Sequence, residues 1–355
     1  MSTIKVINAQ HPSASAANIV LDSSGNFTSP GSMVAGSSYA WRNRIINGDC
    51  RIDQRNAGAA VTANNSFPVD RFAVTNGTNG AFSAQQDSSA PSGFDKSVKI
   101  TITTADTSLA ATQVLTFLQR IEGFNMADFA WGTASAKTVT LSFWVRSSLT
   151  GTFGGSLRNS PITVSYPFSY TISAADTWEY KTITITGSTS GTWLTDNNIG
   201  IVLAFSLGSG TDRSGIAGAW NNNNNASATG AVSVVGTLNA TWYITGVQLE
   251  VGSAATPFER RDYGRELILC QRYFETTSGY GSAYMGGSGT TRAGCVYYQV
   301  NKRSAPTLTT SSISYGNASN LLLEQTTSTK SGFYYTSSGA GQSSASFDLA
   351  ASAEL

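Results

Sequence analysis

The side chains best suited to hold a small polar ligand gather in segment 208–229. There Asp212, Arg213 and Trp220 precede five consecutive asparagines, 221–225. An indole face packs against the C–H face of a sugar, and amides give directional hydrogen bonds to its hydroxyls. Trp220, Asp212, Arg213 and Asn223 are therefore candidate glycan contacts. The same residues also fit an indole in the core above a solvated asparagine turn, and the sequence leaves both open. Tyr334 and Tyr335 are further candidates, because tyrosine is common at binding surfaces. With Tyr280 and Tyr284 they serve an interface between copies equally well. Tyr166, Phe168 and Tyr170 share one face at period two, a stripe expected in a core. Trp144 and Arg146 occupy the more polar face of their strand, where they suit a cation–π pair or a neighbouring copy.

Nothing in the residue types sets up catalysis. His11 is the one histidine, so a Ser-His-Asp or Cys-His arrangement is not expected. Clustered Cys and His are missing, and with them a zinc site. No phosphate loop, dinucleotide fingerprint or EF-hand loop occurs, so no cofactor is expected. Cleaving a polysaccharide requires two carboxylates across the scissile bond. Asp176, Glu179, Asp196 and Asp212 are the central acids, and Asp176-Thr-Trp-Glu179 reads better as a turn entering a strand. The expectation is a protein that is not an enzyme. A net charge of +1 without a basic run gives no electrostatic case for nucleic acid or an anionic membrane. No stretch reaches the roughly 18 apolar residues of a membrane span. The N-terminus lacks a secretory signal, so synthesis in the cytosol is expected. Cys50, Cys270 and Cys295 are odd in number and far apart, which leaves room for one disulfide but not for a disulfide framework.

The elements that must position these residues are mainly strands. Charged residues are 12% of the chain, against about 25% in an average globular protein, and neutral polar residues fill the gap. Residues 41–258 alternate at 68–75, 98–103, 114–121, 139–146, 162–172, 182–186, 199–207, 231–235 and 242–249. Short strands with Gly, Asn and Ser turns predict a jelly-roll-type β-sandwich. In the last strand Trp242, Ile244 and Gly246 fall on one side, with Tyr243, Thr245, Val247 and Leu249 on the other. Gly252 and Pro257 then break it. Residues 259–278 are expected to hold one connecting helix, with Asp262 as N-cap and Gly279 as its stop. Tyr263, Leu267, Cys270 and Phe274 lie on one stripe of that helix. The stripe needs a partner, either the chain's own sandwich or three copies meeting about a threefold axis. Residues 279–355 form a small C-terminal β domain that oligomerisation would help to stabilise. Residues 1–40 read as an extended polar arm whose short apolar points, Ile4, Val6, Ile19 and Leu21, cannot fold it alone. Docking onto a larger assembly is the favoured role of that arm, with packing on its own domain the alternative.

Several stretches are similar to one family. NRIINGDCRIDQRN (43–56) followed by PVDRF (68–72) resembles the opening of phage tail-fibre and receptor-binding proteins. TWEYKTITITGSTSGTW (177–193) resembles their mid-domain pattern, as does ITGVQLEVGSAATPFERRDYGRELILCQRYF (244–274). KRSAPTLT (302–309) and the closing ASAEL resemble their C-terminal unit, and NIVLDSSGN (18–26) a segment that often begins such virion proteins. The resemblance implies a homotrimer on a phage particle with a carbohydrate-binding-module-like sandwich. Residues 1–40 would join other virion proteins, and host cell-surface polysaccharide is a possible partner. Its implied location is the virion, after synthesis in the host cytoplasm. A head fibre, capsid decoration or collar protein without a receptor role is the alternative, and a glycan-degrading tail spike a weaker one.

Overall fold

The computed structural model describes residues 8–9, 19–21, 27–28 and 41–355. The chain divides into two compact units, Met1–Trp41 and Arg42–Leu355. In the first, β1 (Asn8–Ala9), β2 (Ile19–Leu21) and β3 (Phe27–Thr28) pair antiparallel in that order. Ile4 and Val6 lie outside the described residues, and so do the side chains of Ile19 and Leu21 in β2.

The second unit opens with β4 (Ser66–Val69), β5 (Phe72–Asn76), β6 (Ala81–Asp87), β7 (Ser97–Thr104) and β8 (Val114–Glu122). Next come β9 (Val139–Ser147), β10 (Gly151–Asn159), β11 (Ser165–Ile172), β12 (Glu179–Ile185) and β13 (Ile199–Ser209). The two-residue strands β14 (Ser214–Gly215) and β15 (Ser227–Ala228) precede β16 (Thr241–Val251). Apart from β14 and β15, these strands form two antiparallel sheets of a jelly-roll-type sandwich. One has six strands, ordered β11-β10-β13-β8-β5-β4, and the other five, ordered β12-β9-β16-β7-β6. The expected alternation is realised in β9, where Val139, Leu141, Phe143 and Val145 are fully buried between the sheets. Tyr166, Phe168 and Tyr170 face the same core. At its centre the Trp242 indole N–H donates to the Tyr170 hydroxyl at 3.2 Å, with Phe117 and Phe205 packed around the indole.

Three differences from the sequence pattern have physical causes. Strand β16 carries a bulge between Thr245 and Gln248, with Gly246 at φ +63°. An extra residue flips the side-chain alternation, so Trp242, Ile244, Val247 and Leu249 all point inward and are fully buried. Residues 231–235 are not a strand. Val234 and Val235 plug the core as a loop, Val235 against Gly80 and Gly208, where a Cβ would collide with it. Strand β10 was hidden by Gly154 and Gly155. A Cβ on Gly155 would sit 2.4 Å from the Phe168 ring and 2.5 Å from the Ala204 carbonyl, so the strand gives up its own side chain to let its neighbours close.

Helix α1 (Tyr263–Gln271) starts at Asp262, whose side chain accepts from Arg265 N at 2.9 Å. It stops well before Gly279, because residues 274–285 pair as a long strand. The small body after it comprises β17 (Phe274–Met285), β18 (Thr291–Tyr297), β19 (Thr307–Gly316), β20 (Ala318–Glu324), β21 (Lys330–Ser337) and β22 (Gly341–Ser352). These form two three-stranded sheets, β17-β22-β19 and β18-β21-β20. Gly279 is a mid-strand glycine: a Cβ there would meet the Phe347 ring at 2.2 Å. Phe333, Tyr335, Phe347 and Leu349 fill the core of this body. Among the described residues, no helix is long and apolar enough to cross a membrane.

Candidate functional site

The outward face of the five-stranded sheet carries the site. Strand β9 presents Ser142 and Trp144 on this face, and β12 places Tyr180 directly across from Trp144. Their ring centroids are 5.3 Å apart, close enough to act as one aromatic surface. Next to Trp144 the bulge of β16 brings in Gly246. A Cβ on Gly246 would stand 2.7 Å from Phe94 and 3.2 Å from Trp144, so the missing side chain is what allows those two rings to close over the strand.

The far wall is the segment after β16, held down by two buried polar residues. Glu250 accepts from Thr256 N at 2.8 Å and from the Thr256 hydroxyl at 2.6 Å, while Arg42 approaches it to 3.5 Å. Gln248 accepts from Glu259 N at 2.7 Å. Pinned in this way, the segment sets Phe258 edge-on to Phe94, with centroids 5.2 Å apart. The Arg260 guanidinium then lies 4.8 Å from the Phe94 ring centroid and donates to the Gly93 carbonyl. The result is an open cleft of about 520 Å³ lined by Phe94, Trp144, Tyr180, Phe258 and Arg260, with Ser142 and Thr256 adding hydroxyls. Among the described residues, no Asp or Glu lines it. Apolar ring faces, hydroxyls and one guanidinium can hold an uncharged polyhydroxylated ligand by stacking and hydrogen bonding. Among the described residues, no three His, Cys, Asp or Glu side chains gather to hold a metal.

None of the six glycan candidates drawn from the sequence lines this cleft. Trp220 is half-buried and packs edge-on against Trp131, Trp193 and Tyr166. Its indole N–H donates to the Thr186 carbonyl at 2.7 Å. Of the two readings left open, the structure shows an indole on the core. Asn223 is exposed beyond it, and Asp212 and Arg213 sit in a short 3-10 turn, 211–213. Tyr335 is buried in the small C-terminal core with its hydroxyl donating to the Ser343 carbonyl, and Tyr334 is half-buried beside it on β21. Tyr335 also borders a second cleft of about 430 Å³ with Tyr280, Arg292 and Cys295. Arg146 stacks on Tyr243, at 4.9 Å, rather than on Trp144. Trp144 was legible as a polar-face aromatic, but its partners Phe94, Phe258 and Arg260 come from loops that carry no periodic signal.

The helix stripe splits. Cys270 is fully buried against Ile46, Ile52 and Tyr273 of the same chain, with Leu267 partly buried beside it. Phe274 belongs to β17 and lies under the Arg55 guanidinium at 3.7 Å. Tyr263 is 54% exposed, and Ile268 on the neighbouring face 52%. The stripe is thus largely consumed within one chain.

Around this helix segments 43–56 and 244–274 meet. Asn43 donates to the Val247 carbonyl and accepts from Ile45 N and Leu249 N. Glu266 on the helix accepts from Asn47 N and pairs with Arg261 at 3.2 Å. Glu122 of β8 is 1% exposed and accepts from Arg272 and from the Tyr273 hydroxyl. Glu354 joins Arg55 and Arg71 near the same place. Asp70 accepts from Gln54 and Arg55, and burial pushes its carboxyl up to about 6 against the pull of Arg55.

No protein-family model and no curated protein matches this chain. Among solved structures it is similar to the enzymatically active domain of tailspike protein 4 of bacteriophage CBA120, at 10% identity and TM-score 0.32. That match covers 59% of this chain and only 22% of the tailspike chain. A CBM4 structure matches at 16% identity and TM-score 0.31, covering 58% of this chain and 98% of the other. The family 11 carbohydrate-binding module of Lic26A-Cel5E of Clostridium thermocellum matches at 15% identity and TM-score 0.27, over 57% and 100%. Overlaps of this extent are partial, and the sandwich rests on its own strand pairings.

Proposed function

We propose that this protein is a non-enzymatic, homotrimeric tail fibre of a phage particle that recognises a host surface glycan. In this reading it is made in the host cytoplasm and joins other virion proteins through residues 1–40. The glycan part is carried by one observation, the open cleft in which Trp144, Tyr180, Phe94 and Phe258 offer ring faces beside Ser142, Thr256 and Arg260. The particle assignment is supported by the resemblance of 43–56, 177–193 and 244–274 to phage tail-fibre proteins. A lining without carboxylates supports binding over hydrolysis, which needs a carboxylate pair.

The test is titration of the purified full chain with oligosaccharides from the host surface, followed by tryptophan fluorescence. Trp144→Ala is expected to weaken binding about tenfold, the loss of roughly 1.4 kcal/mol of ring contact, while Asn223→Ala leaves it unchanged. Equal affinity in Trp144→Ala would remove the cleft from the reading. Failure of the wild type to bind any host polysaccharide would favour a head fibre, capsid decoration or collar protein. New reducing ends would overturn the non-enzymatic part, and a stable monomer by light scattering the trimer.

A further inference from the structure

On the outward face of the six-stranded sheet, Arg158 is buried with no carboxylate bonded to it among the described residues. Arg158 on β10 lies across from Val202 on β13, and Val202 across from Arg120 on β8. The two arginines thus flank Val202 on one face, about 10 Å apart at two strand spacings. Arg213 stands on its 3-10 turn with its Nε donating to the Thr112 carbonyl at 3.4 Å, and its charge reaches Arg158. Arg158 is 8% exposed; among the described residues its one side-chain hydrogen bond is a 3.2 Å contact to the Asn224 amide oxygen, and its Nε has no partner. The fully buried Ser156 hydroxyl, two residues along the same face of β10, has no partner among the described residues either.

Glu122 is taken by Arg272 and Tyr273. Glu354 is bonded to Arg55 and Arg71, and its charge also reaches Arg120, while Arg158 bonds neither carboxylate. Other buried cations of this unit show the contrast: Arg71 meets Glu354, Arg261 meets Glu266 and Lys302 meets Glu275. A buried guanidinium without an anion is costly. Burial, and then its cationic neighbours Arg120 and Arg213, push Arg158 down to about 10.

We propose that Arg158, Arg120 and Arg213 form a binding site for a small oxyanion, a sulfate or phosphate group, with the Ser156 hydroxyl and Asn224 amide beside it. The group comes either as the free inorganic anion or as the acidic substituent of a glycan. This site is on the opposite sheet from the aromatic cleft and does not depend on it.

The experiment uses the full chain and its Arg158→Met and Arg120→Met variants. Thermal unfolding midpoints are followed against sodium sulfate, with sodium chloride at matched ionic strength and with a sulfated oligosaccharide. Sulfate is expected to raise the wild-type midpoint in a saturable way, with at least tenfold weaker apparent affinity in either variant. In chloride, Arg158→Met is expected to be as stable as the wild type or more so, because it removes an uncompensated charge. A tenfold tighter response to the sulfated oligosaccharide assigns the anion to a glycan, and an equal response to the free ion. Identical sulfate dependence in the wild type and both variants would overturn the site. So would an Arg158→Met that is destabilised equally at every sulfate concentration, since that makes Arg158 a packing residue only.

Discussion

Replacing Gly246 by alanine tests how the fold builds the cleft. Gly246 has φ +63° inside the β16 bulge, and an added Cβ would lie 2.7 Å from Phe94 Cζ and 3.2 Å from Trp144 Cδ1. Two costs add. A left-handed backbone costs an L-residue about 1–2 kcal/mol, and forcing a methyl into a closed contact costs about 1–3 kcal/mol. Gly230 separates them: at φ +79° it has nothing within 4 Å of its Cβ position, so Gly230→Ala carries the backbone cost alone. Urea unfolding should therefore place Gly246→Ala about 1–3 kcal/mol below Gly230→Ala. Glycan affinity should fall in Gly246→Ala and stay at the wild-type level in Gly230→Ala, because only the first displaces Phe94 and Trp144. Equal stability losses in the two variants, with equal affinity, would refute the claim that Gly246 lets the aromatic wall close.

Lys302 and Glu275 form a fully buried pair at 2.5 Å. Lys302→Ala should cost about 3–5 kcal/mol in urea unfolding, with part recovered by adding Glu275→Gln, and a loss under 1 kcal/mol would sink this account. Asp70 has its carboxyl raised by burial from 3.8 to about 6, so the folded state binds more protons than the unfolded state across that window. Stability should fall as pH rises from about 4 to 6, and Asp70→Asn should flatten that slope; an unaltered slope would contradict the assignment. Cys295 is exposed while Cys50 and Cys270 are buried with thiols pushed up by burial. A thiol reagent should modify the native protein once, and native Cys295→Ser not at all; reaction in that variant would show that a buried thiol is accessible.

The sequence by itself determined the mainly-β class and most of the sandwich strands. Period-two alternation at residues such as Val139, Leu141, Phe143 and Val145 is a local signal, needing no knowledge of neighbours. It also determined where the helix begins, because Asp262 caps its own next turn. What it could not carry are features that exist only between distant residues. Gly279 read as a helix stop and the strand holding Gly155 went unseen, yet both are strand residues that make room for Phe347 and Phe168. One bulge in β16 turned Val247 and Leu249 from the outer to the inner face. Trp220 could be a ligand platform or a core indole until its neighbours Trp131 and Trp193 were in place. The aromatic cleft joins Phe94, Trp144, Tyr180 and Phe258 from four separate segments, and the arginine group joins β8, β10 and the 3-10 turn. Periodicity reports which way a side chain points along its own strand, but whether its neighbours bury it, pair it or leave it open is decided only when the sheets close.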